Sequence, residues 1–180
     1  MNITKTTQSI EELSVMNKLF LKSLLAFYKP LVKKEIVAAN INYSDTILFV
    51  GGGSAPCSAI LLNELTGANV KIIDKDYKSV LNAQKIIDRY NLKDLTVECC
   101  NGKDADYTKY SIVHLALQVD SKQKIVDKII SSTNAKILIR VPKEEVVKIY
   151  DEFDYKKYKI NNFVEHYNLS NVGKTLIYEG

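Results

Sequence analysis

Phe49-Val50-Gly51-Gly52-Gly53-Ser54-Ala55-Pro56 is the most informative stretch of this 180-residue sequence. It completes the unbroken apolar run 46–50, and such runs are typical of strands that are buried on both faces of a parallel sheet. Glycine has no Cβ, so Gly51 and Gly53 allow the backbone to turn sharply and to approach a ligand closely. The alternative is a tight turn without a ligand, although a plain turn seldom needs three consecutive glycines. The stretch therefore predicts a strand, a ligand-binding turn and a helix that begins at Pro56.

The alternation of strand and helix continues on both sides of this turn. Apolar residues at helical spacing predict an amphipathic helix over about 9–28, which Pro30 interrupts, and a second helical piece over about 31–40. Further strands are expected at 70–73, 95–100, 112–117 and 136–141, with a helix after each of them. The last of these helices is expected to begin at Pro142. This alternation predicts an open parallel sheet with helices on both faces.

The end of the chain departs from this alternation. Two strands are expected close together, near 159–167 and 174–178, with a polar turn between them that contains Asn171 and Gly173. Adjacent strands with a short link form an antiparallel hairpin. The predicted fold class is therefore α/β, with a doubly wound, Rossmann-like, mostly parallel sheet and a C-terminal antiparallel hairpin. By analogy at the level of the fold, this is the methyltransferase variant of the Rossmann fold.

Length and composition fit one globular unit, with a short helical extension at 1–44 and a Rossmann-like ligand-binding domain at 45–180. Apolar residues make up 46% of the chain, and the net charge is only +4. The lysines are spread along the chain, which indicates a solvated surface and disfavours a nucleic-acid groove. No apolar run reaches the roughly 18 residues of a membrane span, and no secretory signal is found. We therefore expect a cytoplasmic protein with no membrane partner.

The cysteines and histidines form no pattern of a metal site or a nucleophile. Cys57, Cys99 and Cys100 are odd in number and lack the spacing of zinc ligands, so we expect buried free thiols. His114 lies in an apolar strand and is interpreted as a core histidine, while His166 has no evident partner. We therefore expect neither metal nor covalent catalysis.

Polar residues follow the predicted strands at the edge where ligands bind in open parallel sheets. A dinucleotide site would carry a third glycine near the pyrophosphate, but Ala55 stands there, which favours S-adenosylmethionine, a cofactor without a pyrophosphate. Asp74 ends the second strand, where a carboxylate can accept hydrogen bonds from both ribose hydroxyls. Asp76 is interpreted as a surface carboxylate at a helix start. Asp104, after the third strand, is either an adenine contact or an exposed loop acid.

The glycine stretch also resembles that of the nicotianamine synthase family. The sequence F-V-G-G-G-S-A-P-C-S-A-I-L-L at 49–62 is similar to the family's F-[IV]-G-S-G-P-x-P-[LM]-T-[ST]-I-x-L. Asp74-Lys75-Asp76 resembles its D-x-D, and residues 113–119 resemble its V-x-L-A-A-L-V, which a lysine follows, here Lys124. These likenesses place the family's cofactor motifs on the ends of three predicted strands.

Two charged residues outside the glycine stretch extend the resemblance. Ile137-Leu138-Ile139-Arg140 resembles the family's L-x-x-R on the fifth strand, and Tyr28 and Glu35 match its Y-x-x-L-x-x-x-E. The resemblance covers the chain from about Tyr28 onward. It implies that S-adenosylmethionine is bound by the glycine turn and the D-x-D. It further implies transfer of the 3-amino-3-carboxypropyl group to a small-molecule amine or amino acid, with release of methylthioadenosine.

The candidate catalytic residue is Tyr28, which would position or deprotonate an acceptor amine; the alternative is a helix-end tyrosine packed on the core. Gln118 is polar at the close of an apolar strand and is expected beside the methionine part of the cofactor. The candidate cofactor-binding residues are Val50, Gly51, Gly52, Gly53, Asp74, Lys75, Asp104, Ala116, Leu117 and Gln118.

Three other functions remain open at this point. The same scaffold suits a small-molecule methyltransferase, and it also suits a module that binds the cofactor without catalysis. A nicotinamide-dependent oxidoreductase is disfavoured by Ala55 and by the C-terminal hairpin. The short N-terminal region leaves the acceptor pocket either open or completed by another chain, so we expect a homodimer.

Overall fold

A computed structural model describes residues 18–167 and 169–180. The helices are α1 (Lys18–Ala39), α2 (Cys57–Thr66), α3 (Tyr77–Tyr90) and α4 (Lys122–Ser132). The strands are β1 (Thr46–Val50), β2 (Asn69–Asp74), β3 (Leu95–Cys99), β4 (Ile112–Leu115), β5 (Lys136–Pro142), β6 (Asn162–Glu165) and β7 (Val172–Tyr178). Short 3-10 helices lie at Glu144–Ile149 and Tyr155–Lys157.

The strands form one sheet in the order β3-β2-β1-β4-β5-β7-β6. The first five strands run parallel to one another, and β7 pairs antiparallel with both β5 and β6. The strand order reverses between β1 and β4, which is where open α/β sheets bind ligands at their carboxyl ends. The predicted fold class is therefore confirmed, including the C-terminal hairpin.

Helices cover both faces of the sheet, because the central strands are apolar on both sides. On one face, α1, α2 and α3 pack against alternate strand residues such as Phe49 and Leu138. On the other face, α4 packs against the intervening residues, such as Leu48 and Ile139. Helix α1 contacts α2 and also β5, β6 and β7, so it joins the two halves of the sheet on its own face.

The predicted break at Pro30 is wrong, because α1 runs through this proline without interruption. A proline inside a helix costs about 3 kcal/mol, since it removes a hydrogen bond and crowds the preceding turn. Leu31 and Val32, which follow it, are almost fully buried, and this burial keeps the helix continuous. The part of the predicted helix before Lys18 lies outside the described residues.

The expected helix after the third strand is also absent from the described chain. Between β3 and β4, residues 100–111 form successive turns that pack on Tyr107, whose side chain is only 1% exposed. Pro142 belongs to β5, and a 3-10 helix begins two residues later in place of the expected longer helix. The prediction of buried thiols holds for Cys57 but is wrong for Cys99, which is exposed.

The predicted boundaries near the glycine turn agree closely with the structure. Helix α2 ends at Gly67, whose φ of 75° gives the left-handed conformation that glycine adopts without strain. Helix α3 begins after Asp76, whose side chain accepts hydrogen bonds from the backbone of Lys78 and Ser79. This is the helix-start role expected for Asp76. The end of α2 is therefore fixed by Gly67, and the start of α3 is fixed by Asp76.

Candidate functional site

A cavity of about 590 Å³ opens at the carboxyl ends of the parallel strands. Volumes of about 300–1,000 Å³ are usual for small-molecule sites. The glycine turn 51–53 lies at its centre, between the ends of β2 and β3 on one side and those of β4 and β5 on the other. Nine of the ten candidate cofactor-binding residues and Tyr28 line this cavity, and Asp104 does not.

The glycine turn has a backbone that only glycine adopts easily. Gly51 has a φ of 82° and Gly53 a φ of 65°, both in the left-handed region. The amide of Gly51 donates to the carbonyl of Ile73 at 2.8 Å, which ties the turn to β2. A Cβ on Gly51 would lie 2.6 Å from Cγ2 of Val119. The turn therefore brings bare backbone to the cavity wall, as expected from its three glycines.

Asp74 fixes this turn from the neighbouring strand. Its Oδ2 accepts the backbone N–H of Gly53 at 2.8 Å, and its Oδ1 accepts that of Asp76 at 2.9 Å. A carboxylate has about four acceptor positions, so two remain for a ligand. Asp74 thus holds the glycine turn in shape and also presents acceptors to the cavity.

The loop after β4 forms the next part of the wall. Ala116, Leu117 and Gln118 line the cavity, as does Lys75, which forms an ion pair with Asp120 across the opening between β2 and β4. This salt bridge joins the segment after β2 to the segment after β4. It was not foreseen, because its partners are 45 residues apart in sequence.

Asn101 takes the place in the wall that was expected for Asp104. Asp104 is exposed on the outer side of the turn, whereas Cys100, Asn101 and Gly102 line the cavity. The side-chain oxygen of Asn101 accepts the N–H of Lys103 at 3.0 Å. This bond fixes the orientation of the amide. The side chain at this strand end is therefore an amide rather than an acid.

Tyr28 lies on the opposite side of the cavity, on α1. Its ring packs edge-on against that of Phe27, with 5.2 Å between ring centroids, and both line the cavity together with Leu24. Leu169 lines the same side from the loop before β7 and is itself 92% exposed. The part of the wall formed by α1 and Leu169 is thus apolar and aromatic, in contrast to the polar part near β2 and β3.

A buried ionic cluster supports the cavity below Tyr28. Arg140 on β5 donates from Nε and Nη2 to the two carboxylate oxygens of Glu35 on α1, both at 2.8 Å, and from Nη1 to Oγ of Ser58 at 2.9 Å. Thr175 on β7 donates to Oε1 of Glu35 at 2.6 Å. All four side chains are less than 10% exposed. The cluster joins α1, α2, β5 and β7, and two of its members, Ser58 and Arg140, line the cavity.

Both histidines of the chain border this cluster. His114 stacks on Phe49 with 4.5 Å between ring centroids, and its Nε2 lies 3.2 Å from Oε2 of Glu35. The hydroxyl proton of Thr175 goes to Glu35, so its oxygen accepts Nε2–H of His166 at 2.8 Å. The interpretation of His114 as a core residue agrees with its full burial. Its partner, Glu35, was not predicted.

Burial determines the protonation of this cluster. Burial lowers the pKa of His114 despite the neighbouring carboxylate, and it lowers the pKa of His166 to about 4. Burial by itself would raise the pKa of Glu35, but the adjacent Arg140 guanidinium holds that pKa well below its usual value. At neutral pH the cluster therefore consists of one ion pair and two neutral histidines.

The two lysines in the first turn of α4 differ in burial. Lys124 is exposed, whereas Lys122 is buried at the start of α4 and donates to the carbonyl of Leu117 in the cavity wall. Burial lowers the pKa of Lys122 to about 8. Lys122 therefore helps to shape the loop between β4 and α4.

Among the described residues, no group of His, Cys, Asp and Glu side chains could hold a metal ion, and no helix is long and apolar enough to cross a membrane.

Several residues that line the cavity were not among the predicted site residues. On the side of β5 and β7, the cavity is also lined by Asn171, in the loop before β7, which donates to the hydroxyl of Tyr150, just after the first 3-10 helix, at 3.1 Å. Arg140 carried a signal, since it is a charged residue within an apolar strand. Asn171 and Tyr150 carried none, because they come together only through the hairpin.

The sequence matches no protein-family profile and no curated protein, but the fold matches solved structures. A mutant of MtNAS, a nicotianamine synthase, in complex with S-adenosylmethionine aligns with 99% of this chain and 74% of its own, with a TM-score of 0.84 and 17% identity. MtNAS in complex with MTA and tNA aligns with 98% of this chain and 70% of its own, with a TM-score of 0.80 and 16% identity.

A methyltransferase shares the fold over a shorter part of the chain. The RNA methyltransferase from Salinibacter ruber, in complex with S-adenosyl-L-homocysteine, aligns with 82% of this chain and 88% of its own, with a TM-score of 0.65 and 18% identity. At these identities the likeness establishes the fold. The chain has the nicotianamine synthase-like form of the Rossmann methyltransferase fold, as its glycine stretch and its C-terminal hairpin predicted.

Proposed function

We propose that this chain is an S-adenosylmethionine-dependent transferase that acts on a small molecule. The observation that carries the proposal is the meeting of the glycine turn and the Asp74 carboxylate in one cavity, at the reversal of strand order. Structures with the same fold support it, since two of them are complexes with S-adenosylmethionine and with S-adenosyl-L-homocysteine.

The residues of the cavity fit this cofactor. Asp74 retains acceptor positions for ribose hydroxyls, and the amide of Asn101 lies at the next strand end, where it can donate to and accept from an adenine edge. Gly51 and Ala116 contribute no side chain larger than a methyl group to the cavity wall. We therefore assign the β2–β3 side to the adenosine and the β1–β4 side to the methionine part.

When bound, the cofactor supplies a carbon attached to a positively charged sulfur. A nucleophile that attacks this carbon displaces the sulfur. The work of this chain is to align the acceptor and to exclude water. Tyr28, Phe27 and Leu24 enclose the half of the cavity that faces away from the adenosine side. We assign to the Tyr28 hydroxyl the role of orienting the acceptor amine or taking its proton.

We infer that the group transferred is 3-amino-3-carboxypropyl and that the acceptor is a small amine or amino acid. The likeness to MtNAS, over 99% of this chain, supports this choice, since one MtNAS structure is a complex with MTA and tNA. Methyl transfer is the competing outcome, and the Salinibacter ruber enzyme represents it.

The decisive experiment identifies the adenosyl product. The purified protein is incubated with S-adenosylmethionine and a panel of amines and amino acids, and the products are separated by mass spectrometry. Methylthioadenosine in proportion to the acceptor consumed supports aminocarboxypropyl transfer, whereas S-adenosylhomocysteine indicates a methyltransferase. Binding without turnover for any acceptor would indicate a module that holds the cofactor and lacks catalysis.

A matched pair of tyrosine variants tests the catalytic assignment. Tyr28→Phe keeps the ring packing and removes the hydroxyl, so we expect turnover to fall at least ten-fold while cofactor affinity stays within two-fold, as for loss of a general base or orienting group. Tyr43→Phe, at an exposed position, is the control and should leave both unchanged. Unchanged turnover in Tyr28→Phe would mean that the residue only packs.

A further inference from the structure

Four residues form a row across the carboxyl edge of the sheet. The strand pairs Val50–Ile73, Val50–Leu115 and Leu115–Ile139 bring the next residue of each strand side by side. These next residues are Asp74, Gly51, Ala116 and Arg140. With neighbouring strands about 4.8 Å apart, the row spans about 14 Å from Asp74 to Arg140. An acceptor of hydrogen bonds thus stands at one end and a cation at the other, with two small residues between.

Arg140 has donors left after its known contacts. A guanidinium carries five N–H groups. Two of them go to Glu35 and one goes to Ser58. The other two, on Nη1 and Nη2, have no acceptor among the described residues. Arg140 is only 4% exposed and lines the cavity, so these donors belong to a buried part of its wall.

The first turn of α2 adds positive potential at the same place. Helix α2 begins at Cys57, and no side chain caps it. The amide of Cys57 donates to the carbonyl of Ala55 at 2.7 Å, and the amide groups that follow it carry the partial positive charge of a helix N-terminus. Cys57 and Ser58, in this turn, line the cavity beside Arg140. Lys75 is the other basic residue in the described wall, and it is already paired with Asp120.

We propose that Arg140 and the first turn of α2 form the subsite for an α-carboxylate, namely that of the methionine part of the cofactor. The inference rests on the proposed function, because it takes the ribose to lie at Asp74. From there the ligand follows the row past Gly51 and Ala116, which themselves carry no side chain larger than a methyl group, and its carboxylate meets the free donors of Arg140. Planar, paired N–H groups of a guanidinium match a carboxylate better than a lysine does.

Glu35 is a positioning residue in this arrangement. It occupies the Nε side of the guanidinium and so turns the remaining Nη donors toward the cavity. It also neutralises Arg140 when the cavity is empty, which lowers the cost of burying that cation. Recognition of the ligand carboxylate then depends on the free N–H donors of Arg140 and on the helix N-terminus, rather than on an unpaired positive charge of Arg140.

The test compares two ligands that differ at the proposed contact. S-adenosylhomocysteine carries the carboxylate, and methylthioadenosine lacks the whole aminocarboxypropyl group. We measure their dissociation constants by calorimetry for the wild type, for Arg140→Lys and for Arg89→Lys. Arg89 is the only other arginine of the chain and is exposed in the last turn of α3, so it is the matched control.

We expect Arg140→Lys to weaken S-adenosylhomocysteine about ten-fold or more, as for a lost hydrogen bond to a charged group, and methylthioadenosine less than two-fold. Arg89→Lys should change neither. An equal loss for both ligands, or no loss, would overturn the subsite. If the wild type binds no adenosyl ligand at all, the proposed function itself fails, which is a separate result.

A second test changes the ligand instead of the protein, and so it does not depend on whether Arg140→Lys folds. The wild type is titrated with S-adenosylhomocysteine and with its carboxamide, which is neutral at the former carboxylate. A carboxamide that binds at least ten-fold more weakly supports the subsite. Equal affinities for the two ligands would refute it, because the acid would then make no specific contact.

Discussion

At the residue scale, the two acids that follow β2 have different roles although they have the same side chain. Both line the cavity, but Asp74 holds the glycine turn through Gly53, whereas Asp76 caps α3. The sequence placed both in a D-x-D motif. The difference arises because Asp74 continues the strand while Asp76 has already turned into the first turn of the helix.

Exchanging each acid for its amide separates these roles. In Asp74→Asn, one oxygen becomes an NH₂ group that faces a backbone N–H, so we expect the glycine turn to loosen and S-adenosylhomocysteine to bind at least ten-fold more weakly. Asp76→Asn keeps a good N-cap. Its affinity should stay within two-fold of the wild type, measured by calorimetry. Equal losses in the two variants would contradict the assignment of Asp74.

Gly51 is the position where a side chain should do most harm to binding. In Gly51→Ala the methyl group meets Val119 and the backbone keeps a φ of 82°, which costs about 1–3 kcal/mol in a non-glycine residue. We expect lower stability in urea unfolding and a strong loss of cofactor affinity. The control is Gly67→Ala, with a φ of 75° at the end of α2. It should lose similar stability but keep its affinity, since Gly67 does not line the cavity.

At the element scale, the buried cluster connects α1 to the middle of the sheet. Glu35 on α1 binds Arg140 on β5 and Thr175 on β7 over 105 and 140 residues of sequence. Breaking a buried pair of this kind by removing one partner costs about 3–5 kcal/mol. The position of Tyr28, two turns before Glu35 on the same helix, therefore depends on contacts that α1 makes with distant strands.

The histidines beside this cluster make stability depend on pH. The folded pKa of His166 is about 4 and that of His114 is also lowered, against about 6.5 in an unfolded chain. As pH falls below about 6.5, the unfolded chain binds protons that the folded chain does not, so stability decreases. His166 alone gives a slope near 1.4 kcal/mol per pH unit between about pH 6 and pH 5, and His114 adds to it in the same direction.

Glu35 adds to this loss at lower pH. Its lowered folded pKa contributes stability that is present above its unfolded pKa of about 4.3 and is lost as pH falls further. Urea unfolding at intervals of half a pH unit measures the profile. His166→Gln keeps a donor toward Thr175 and removes one titration, so its slope between pH 6 and 5 should be shallower by about 1.4 kcal/mol per pH unit. A profile that is flat down to pH 5 would show that the histidines are charged in the folded chain.

At the scale of the whole molecule, the cavity is built from both halves of the sheet and from α1. A ligand that fills it binds the folded chain alone and so raises the unfolding temperature by mass action. At one hundred times its dissociation constant, S-adenosylhomocysteine should add about 2.7 kcal/mol to the free energy of unfolding. NAD at the same concentration should add less than S-adenosylhomocysteine. A larger effect of NAD, measured by thermal shift, would favour an oxidoreductase over the proposed transferase.

Local sequence patterns determined the order of the elements and the position of the ligand-binding turn. Apolar runs give buried strands, and glycines with positive φ give the turn, because both depend on neighbours along the chain. The predicted helix break at Pro30 failed because local propensity was outweighed by burial of α1. The predicted helix after β3 is absent, because the short segment 100–111 connects β3 to β4 through successive turns.

Only the tertiary structure decided which distant side chains share the cavity. It replaced Asp104 with Asn101 in the wall, since a single turn carries the later residue outward. It also joined Glu35 to Arg140 and both histidines to that pair, although each of these residues stands alone in its own segment. The physical reason is that strand register and helix packing, which involve the whole chain, fix the distance between residues that are far apart in sequence.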